Sequence, residues 1–251
     1  MPLLAIKLLA VPVMMSAITI VERRWGSGIS GWLTGLPLTS GPISLILALQ
    51  HGQAFATLAA AGSLGGIASV GLYALTYSLV ATRAGWKTSL LAGILVFFAS
   101  AFFWNEFPLA LIPSFFVAIF VLALAHHFIP RRQVKAAAIA RSAWDIPARI
   151  AAAMAVLLLI TGFSSFLGPQ LSGLLSPFPV FSSVLVVFTH RQLGADHGIQ
   201  FLRGVVTGTF AYAGFFLVIG LLLPSLGILW TYLLATLVAL LANGASLRLV
   251  R

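Results

Sequence analysis

Apolar runs long enough to cross a bilayer follow one another along almost the whole of this chain, separated by short breaks. A bilayer core about 30 Å thick takes roughly 20 residues of apolar helix. Backbone inside it has no water to bond with, so a helix that satisfies its own N–H and C=O groups is the expected spanning element. The breaks divide the sequence into nine expected spans: 3–21, 28–50, 53–81, 88–103, 108–128, 150–167, 171–190, 198–223 and 225–247. Only 7% of the residues are charged, against about 25% in soluble domains. That excludes a soluble enzyme, a nucleic-acid-binding domain and a disordered tail. The fold class expected is an all-α polytopic integral membrane protein.

The bases give the spans a direction. Odd-numbered connections carry Arg23 and Arg24, then Arg83 and Lys87, then the bases of residues 129–149, then Arg191; the tail adds Arg248 and Arg251. Even-numbered connections hold no Lys or Arg, and Lys7 is the one departure from the alternation. Positive loops stay cytoplasmic, so the N-terminus is expected outside and the C-terminus inside. The net charge of +10 then belongs to a face lined by anionic headgroups, worth about 1 kcal/mol per base, rather than to nucleic acid. The first run lacks a basic start and is read as a retained helix, not a cleaved leader. Residues 129–149, rich in Ala and bases, are expected to form a surface helix. The absence of cysteine removes disulfides and thiolate chemistry.

An internal repeat organises the rest. Gly35-Leu-Pro-Leu-Thr-Ser-Gly-Pro-Ile-Ser44 and Gly173-Leu-Leu-Ser-Pro-Phe-Pro-Val-Phe-Ser182 share a Gly-Leu start, two prolines and a trailing Ser. Each is followed by His-Gly-x-x-Phe, at His51-Gly52 and at His197-Gly198. Spans one to four therefore correspond to spans six to nine. The expected units are residues 1–107, a connector with its basic loop at 108–148, and residues 149–251. An odd connecting span turns the second unit over, which gives the inverted-topology repeat found in many secondary transporters.

Residues 172–223, with Gly-Leu, then Pro-Phe-Pro, then Gly198-Ile-Gln-Phe-Leu-Arg-Gly204, resemble the short inner-membrane proteins of the GlpM-like family. Residues 4–44, with Lys7, Arg23, Arg24 and Gly-Leu-Pro, are similar to the same pattern. The resemblance implies two such units fused in a bacterial inner membrane, with a loose link to envelope polysaccharide production. It supplies no catalytic residues.

A mid-helix proline removes a backbone hydrogen bond and frees a carbonyl, and in a membrane such backbone survives only inside protein or beside a watery cavity. The expected substrate site is therefore the pair of breaks, at Pro37, Thr39, Ser40, Gly41, Pro42 and Ser44 and at Ser176, Pro177, Phe178, Pro179, Ser182 and Ser183. Helix starts there carry partial positive charge and suit an anionic or carbonyl-bearing solute. Lys7, Arg149 and Arg203 are candidate gating charges, with snorkelling to headgroups the simpler account. Glu106 is expected to be a wet surface carboxylate. The five His residues show no metal-ligand spacing, and no nucleophile stands beside a base, so no metal, cofactor or enzymatic activity is expected. The expected function is a permease or flippase moving a small polar or anionic solute by alternating access. The alternative is a non-transporting scaffold subunit of an envelope-polysaccharide or lipid-processing complex. Expected partners are the bilayer, the solute, and further copies of the chain or an envelope complex.

Overall fold

The computed structural model describes residues 2–38, 40–132, 134, 144–158 and 178–247, with side chains from residue 11 onward. Among these residues every regular element is a helix. They are α1 (Pro2–Trp25), α2 (Ser27–Thr34), α3 (Ser40–His51), α4 (Gln53–Ala81), α5 (Trp86–Glu106), α6 (Leu111–Phe128), α7 (145–158), α8 (Val180–Leu193) and α9 (Ala195–Ser246). Four of them, α4, α5, α6 and α9, are each long and apolar enough to cross a membrane. The protein is thus a helical membrane protein. Its lipid-facing surface is visible in the exposed Leu91, Phe102, Phe116, Phe120, Leu229 and Leu241 on α5, α6 and the end of α9. The expected surface helix at 129–149 lies largely outside the described residues; α7 begins at 145, ahead of the expected start of its span.

The 52 residues of α9 would extend about 78 Å if straight, far beyond any bilayer core. They do not run straight, because Gly227 sits at φ 72°, ψ 176°. A side chain placed at Gly214 would meet Val238 Cγ1 at 3.7 Å, though 24 helical residues cover about 36 Å. Phe215 and Tyr232 also touch, with ring centroids 6.2 Å apart. The helix therefore folds back on itself as two arms, 195–226 and 228–246. Pro224, where the sequence placed the break, lies inside the helix; the reversal waits for the next glycine.

The same turn recurs. Gly26, Gly52 and Gly194 have φ of 89°, 85° and 95°, each with ψ 171°, a region open essentially to glycine alone. At each, one residue ends one helix and begins another. The Gly52 N–H donates to Ala48 C=O while Gly52 C=O accepts from Ala56 N–H; Gly194 does the same with His190 and Gly198. The two His-Gly motifs consequently occupy different places. Gly52 is a turn, whereas Gly198 is helical and Gly194, four residues earlier, is its structural counterpart. Both Gly52 and Gly194, and the prolines Pro37 and Pro179 before them, are 142 positions apart.

Contacts sort the helix ends into two faces. On one, Arg23 reaches Asp145, Arg149 reaches Glu22, Arg132 pairs with Asp196, Arg191 lies over Trp86, and Arg203 reaches Ile129. On the other, the Gln53 side chain approaches the Gly227 turn. Every described Lys or Arg side chain belongs to the first, basic face.

The helices close around α4 and the first arm of α9. The tightest seam is between α2 and that arm. Side chains at Gly31, Gly35, Gly204 and Gly208 would run into the backbone of Phe201, Val205, Gly28 and Trp32 respectively. Lipid offers apolar side chains nothing to escape from, so such close van der Waals approach is what drives helices together in a membrane. Gly208→Leu is expected to lower stability by about 3 kcal/mol through overpacking. Gly62→Ala, which meets open space, is expected to leave it unchanged; thermal unfolding in detergent distinguishes the two.

Candidate functional site

The two predicted breaks share one backbone geometry. Leu38 N–H donates to Leu36 C=O across Pro37, and Val180 N–H donates to Phe178 C=O across Pro179. Pro179 has φ −79°, ψ 62°, an inverse γ-turn. One turn later Gly41 N–H returns to Pro37 C=O, and Ser183 N–H to Pro179 C=O. In each break the proline needs no N–H, and its carbonyl opens the next helix. Pro42, lying in the first turn of α3, costs little because those N–H groups are unpaired anyway.

The helices that start there are short. α3 has 12 residues and α8 has 14, so each spans about 18–21 Å and ends part-way across a 30 Å core. α3 ends at the Gly52 turn, on the face shared with Gly227; α8 ends at Gly194, on the basic face. Two half-helices thus reach inward from opposite faces, with both N-termini in the interior. Partial positive charge of about half an elementary unit accompanies each terminus.

Each break is seated on helices from the other half of the sequence. Gly41 lies against the Phe215 ring, Ser44 and Tyr232 share a 2.7 Å hydrogen bond, and Ser40 is the polar neighbour of the Tyr212 phenol. In the second break Phe178 stacks on Phe98 and meets Phe97 edge-on, and Ser183 is the polar neighbour of Tyr73. Ser182 is buried beside it in the first turn of α8. No hydrogen bond or ring contact joins the two breaks directly among the described residues. Thr39, Ser176 and Pro177 lie outside the described residues. The buried hydroxyls thus stand in pairs, Ser183 beside Tyr73 and Ser40 beside Tyr212, without a close hydrogen bond between them.

A second cluster sits at the basic face. Arg149 is 0% exposed, Glu22 3% and Asp145 5%. The Arg149 guanidinium donates from Nη1 to Glu22 at 2.6 Å, from Nε to Asp145 at 3.1 Å and from Nη2 to Gln192 at 3.1 Å. Gln192 and Arg23 each donate to Asp145 at 2.7 Å, and the Thr189 hydroxyl donates to Glu22. The Phe188 ring lies 5.3 Å from the Arg149 guanidinium carbon. Two carboxylates and two guanidiniums balance, clasping α1, α7 and α8. Burial works to raise the Asp145 carboxyl, but the bonds from Gln192 and Arg23 and the Arg149 charge outweigh it and hold the group below its ordinary value.

Arg203 forms a third contact, donating to the carbonyls of His126 and Ile129 at 2.7 and 2.8 Å, where α6 ends. Its Nη2 donates to His126 Nε2 at 2.9 Å, which makes that nitrogen the acceptor. The imidazole proton is then on Nδ1, directed at Thr207 Oγ1, whose own hydroxyl donates to Arg203 C=O. His126 is a neutral clamp between α6 and α9. Lys7 lies on α1, with its side chain outside the described part. Glu106 is exposed, and no group of potential metal ligands occurs among the described residues.

Of the candidate gating charges, Arg149 is thus consumed in ion pairs and Arg203 caps a helix. Sequence reasoning missed Glu22 and Asp145, although Asp145 stands four residues before Arg149, the spacing of a helical ion pair. It also missed the tyrosines. All four fall within apolar runs and are buried, where tyrosine otherwise favours the membrane interface. No family model, curated protein or solved structure matches this chain.

Arg149→Met would strand buried carboxylates and is expected to cost about 3–5 kcal/mol. The double variant Glu22→Leu/Arg149→Met should recover most of that loss in the same unfolding assay. The depressed Asp145 carboxyl contributes stability that is present above its unfolded value and lost as pH falls through its folded one, below about pH 4. Asp145→Asn should flatten that acid limb of a stability–pH profile.

Proposed function

We propose that the protein is a transporter for a small polar or anionic solute, taken up between the two broken helices. One observation carries the reading: α3 and α8 come from opposite faces and leave their N-termini in the interior beside buried hydroxyls. Helix N-termini favour negative charge and carbonyl oxygen, and discontinuous helices meeting at mid-depth are a recurring substrate site in secondary transporters. The equal spacing of Pro37 and Pro179 and of Gly52 and Gly194 supports two inverted repeats within a nine-span chain. Seating each break on the other half makes the site depend on how the halves meet. Alternating access would rock one half against the other, and the balanced Arg149 cluster would be the closed gate on the basic face. That face is cytoplasmic in this reading, with the protein in a bacterial inner membrane, as its likeness to the GlpM-like proteins implies.

The seam of backbone on backbone between α2 and α9 favours a second reading, a static membrane subunit in which the breaks only aid packing. Because the chain has no cysteine, single cysteines at Ser40 and Ser183 report water access without background. In proteoliposomes a membrane-impermeant maleimide should reach each position from one face. Arg149→Met should increase access from the basic face, and a transported anion should protect both sites. A chain that stays unlabelled at both positions from either face, with and without the gate variant, is a static body.

A further inference from the structure

Beside the buried cluster, the basic face has a cleft of about 210 Å³ lined by Phe188, Arg191 and Gln192. The Arg191 guanidinium carbon lies 5.2 Å from the centre of the Trp86 ring, and Lys87 Nζ lies 5.7 Å from the same ring. An exposed guanidinium at the wall of a cleft calls for an anion. The protein does not provide it. Glu22 and Asp145 are taken by Arg149 and Arg23, and Asp196 by Arg132. Glu106 stands at the far end of α5, 20 residues from Trp86 and hence about 30 Å away. Arg191 and Lys87 therefore have no carboxylate partner among the described residues. Gln192 donates one amide hydrogen to Asp145 and keeps a second for the cleft.

We propose that this cleft binds a phosphate group, with Arg191 as its cationic ligand, Trp86 as the platform that fixes the guanidinium and Gln192 as a neutral donor. Guanidinium groups match phosphate geometry with paired N–H donors, and a cation over an indole keeps its charge available to a second partner. The volume falls below the roughly 300–1,000 Å³ of pockets that enclose a drug-sized ligand, so the cleft takes a phosphate and its immediate substituents rather than a whole nucleotide. Its place beside an interfacial tryptophan suits the phosphodiester of an anionic lipid; free phosphate offers the same chemistry. The site lies at the C-terminal end of α8, away from the Pro179 break, and does not depend on transport.

The test uses the full-length protein purified in neutral detergent, probed with phosphatidylglycerol, with diacylglycerol of the same chains, and with inorganic phosphate, reading lipid retention by native mass spectrometry and thermal unfolding. Phosphatidylglycerol should be retained and raise the unfolding temperature, while diacylglycerol does neither. Arg191→Gln should reduce retention at least five-fold. Arg131→Gln, which removes the same charge outside the cleft, should leave retention unchanged. Stabilisation by inorganic phosphate that Arg191→Gln abolishes assigns the site to free phosphate as well; without it, the lipid is the ligand. Equal losses in Arg131→Gln and Arg191→Gln reduce the effect to diffuse attraction by a basic face and overturn the proposal. So does equal retention of the two lipids.

Discussion

A backbone in hydrocarbon has to find its hydrogen bonds within the protein, and the architecture follows from how this chain meets that demand. At Gly26, Gly52 and Gly194 a single residue closes one helix and opens the next, so a reversal leaves no linker to solvate. At Pro37 and Pro179 the residue that breaks the helix lacks an N–H, and its carbonyl is used at once by the helix that follows. The chain thereby gains reversals and helix breaks at small cost in unpaired groups. Glycine is needed at the turns because the backbone there is left-handed, and in the α2–α9 seam because the neighbour is backbone. Those are different uses of one residue type.

Polar groups follow two contrasting policies. At the basic face every charge in the Arg149 cluster is answered, and the cluster is neutral as a whole. Removing two carboxylates and two guanidiniums from water is costly, so the cluster persists only with its full set of partners, Gln192 and Thr189 included. At the breaks the buried groups are neutral hydroxyls instead, Ser183 beside Tyr73 and Ser40 beside Tyr212. Balanced charge suits a clasp between helices.

Membrane-spanning helices were legible at α4, α5, α6 and α9 because apolar length is a property of the sequence. The run 53–81 coincides with α4, and the breaks at Pro37 and Pro179 fall where mid-run prolines placed them. Register was less legible. The His-Gly motifs suggested one alignment, yet Gly52 and Gly198 differ in backbone conformation, and sequence similarity carries no φ angle. The reversal in α9 went to Gly227 rather than Pro224, since a helix tolerates proline when neighbours satisfy the freed carbonyl, while only glycine reaches a φ of 72° at low cost.

By itself, then, the sequence determined a helical membrane protein with its bases gathered at one end, because bilayer thickness and the cost of charge act on stretches of chain one at a time. It also marked both broken helices, because proline acts locally. Only the tertiary structure decided that Arg149 is enclosed by Glu22 and Asp145 rather than reaching for headgroups, a matter of which helix ends converge. It likewise decided that Ser40 faces Tyr212, and Ser183 Tyr73, across more than a hundred residues of sequence. Those pairings depend on how helices cross, and crossing is set by the glycine contacts between α2 and α9 and the packing around α4, which local residue patterns do not encode.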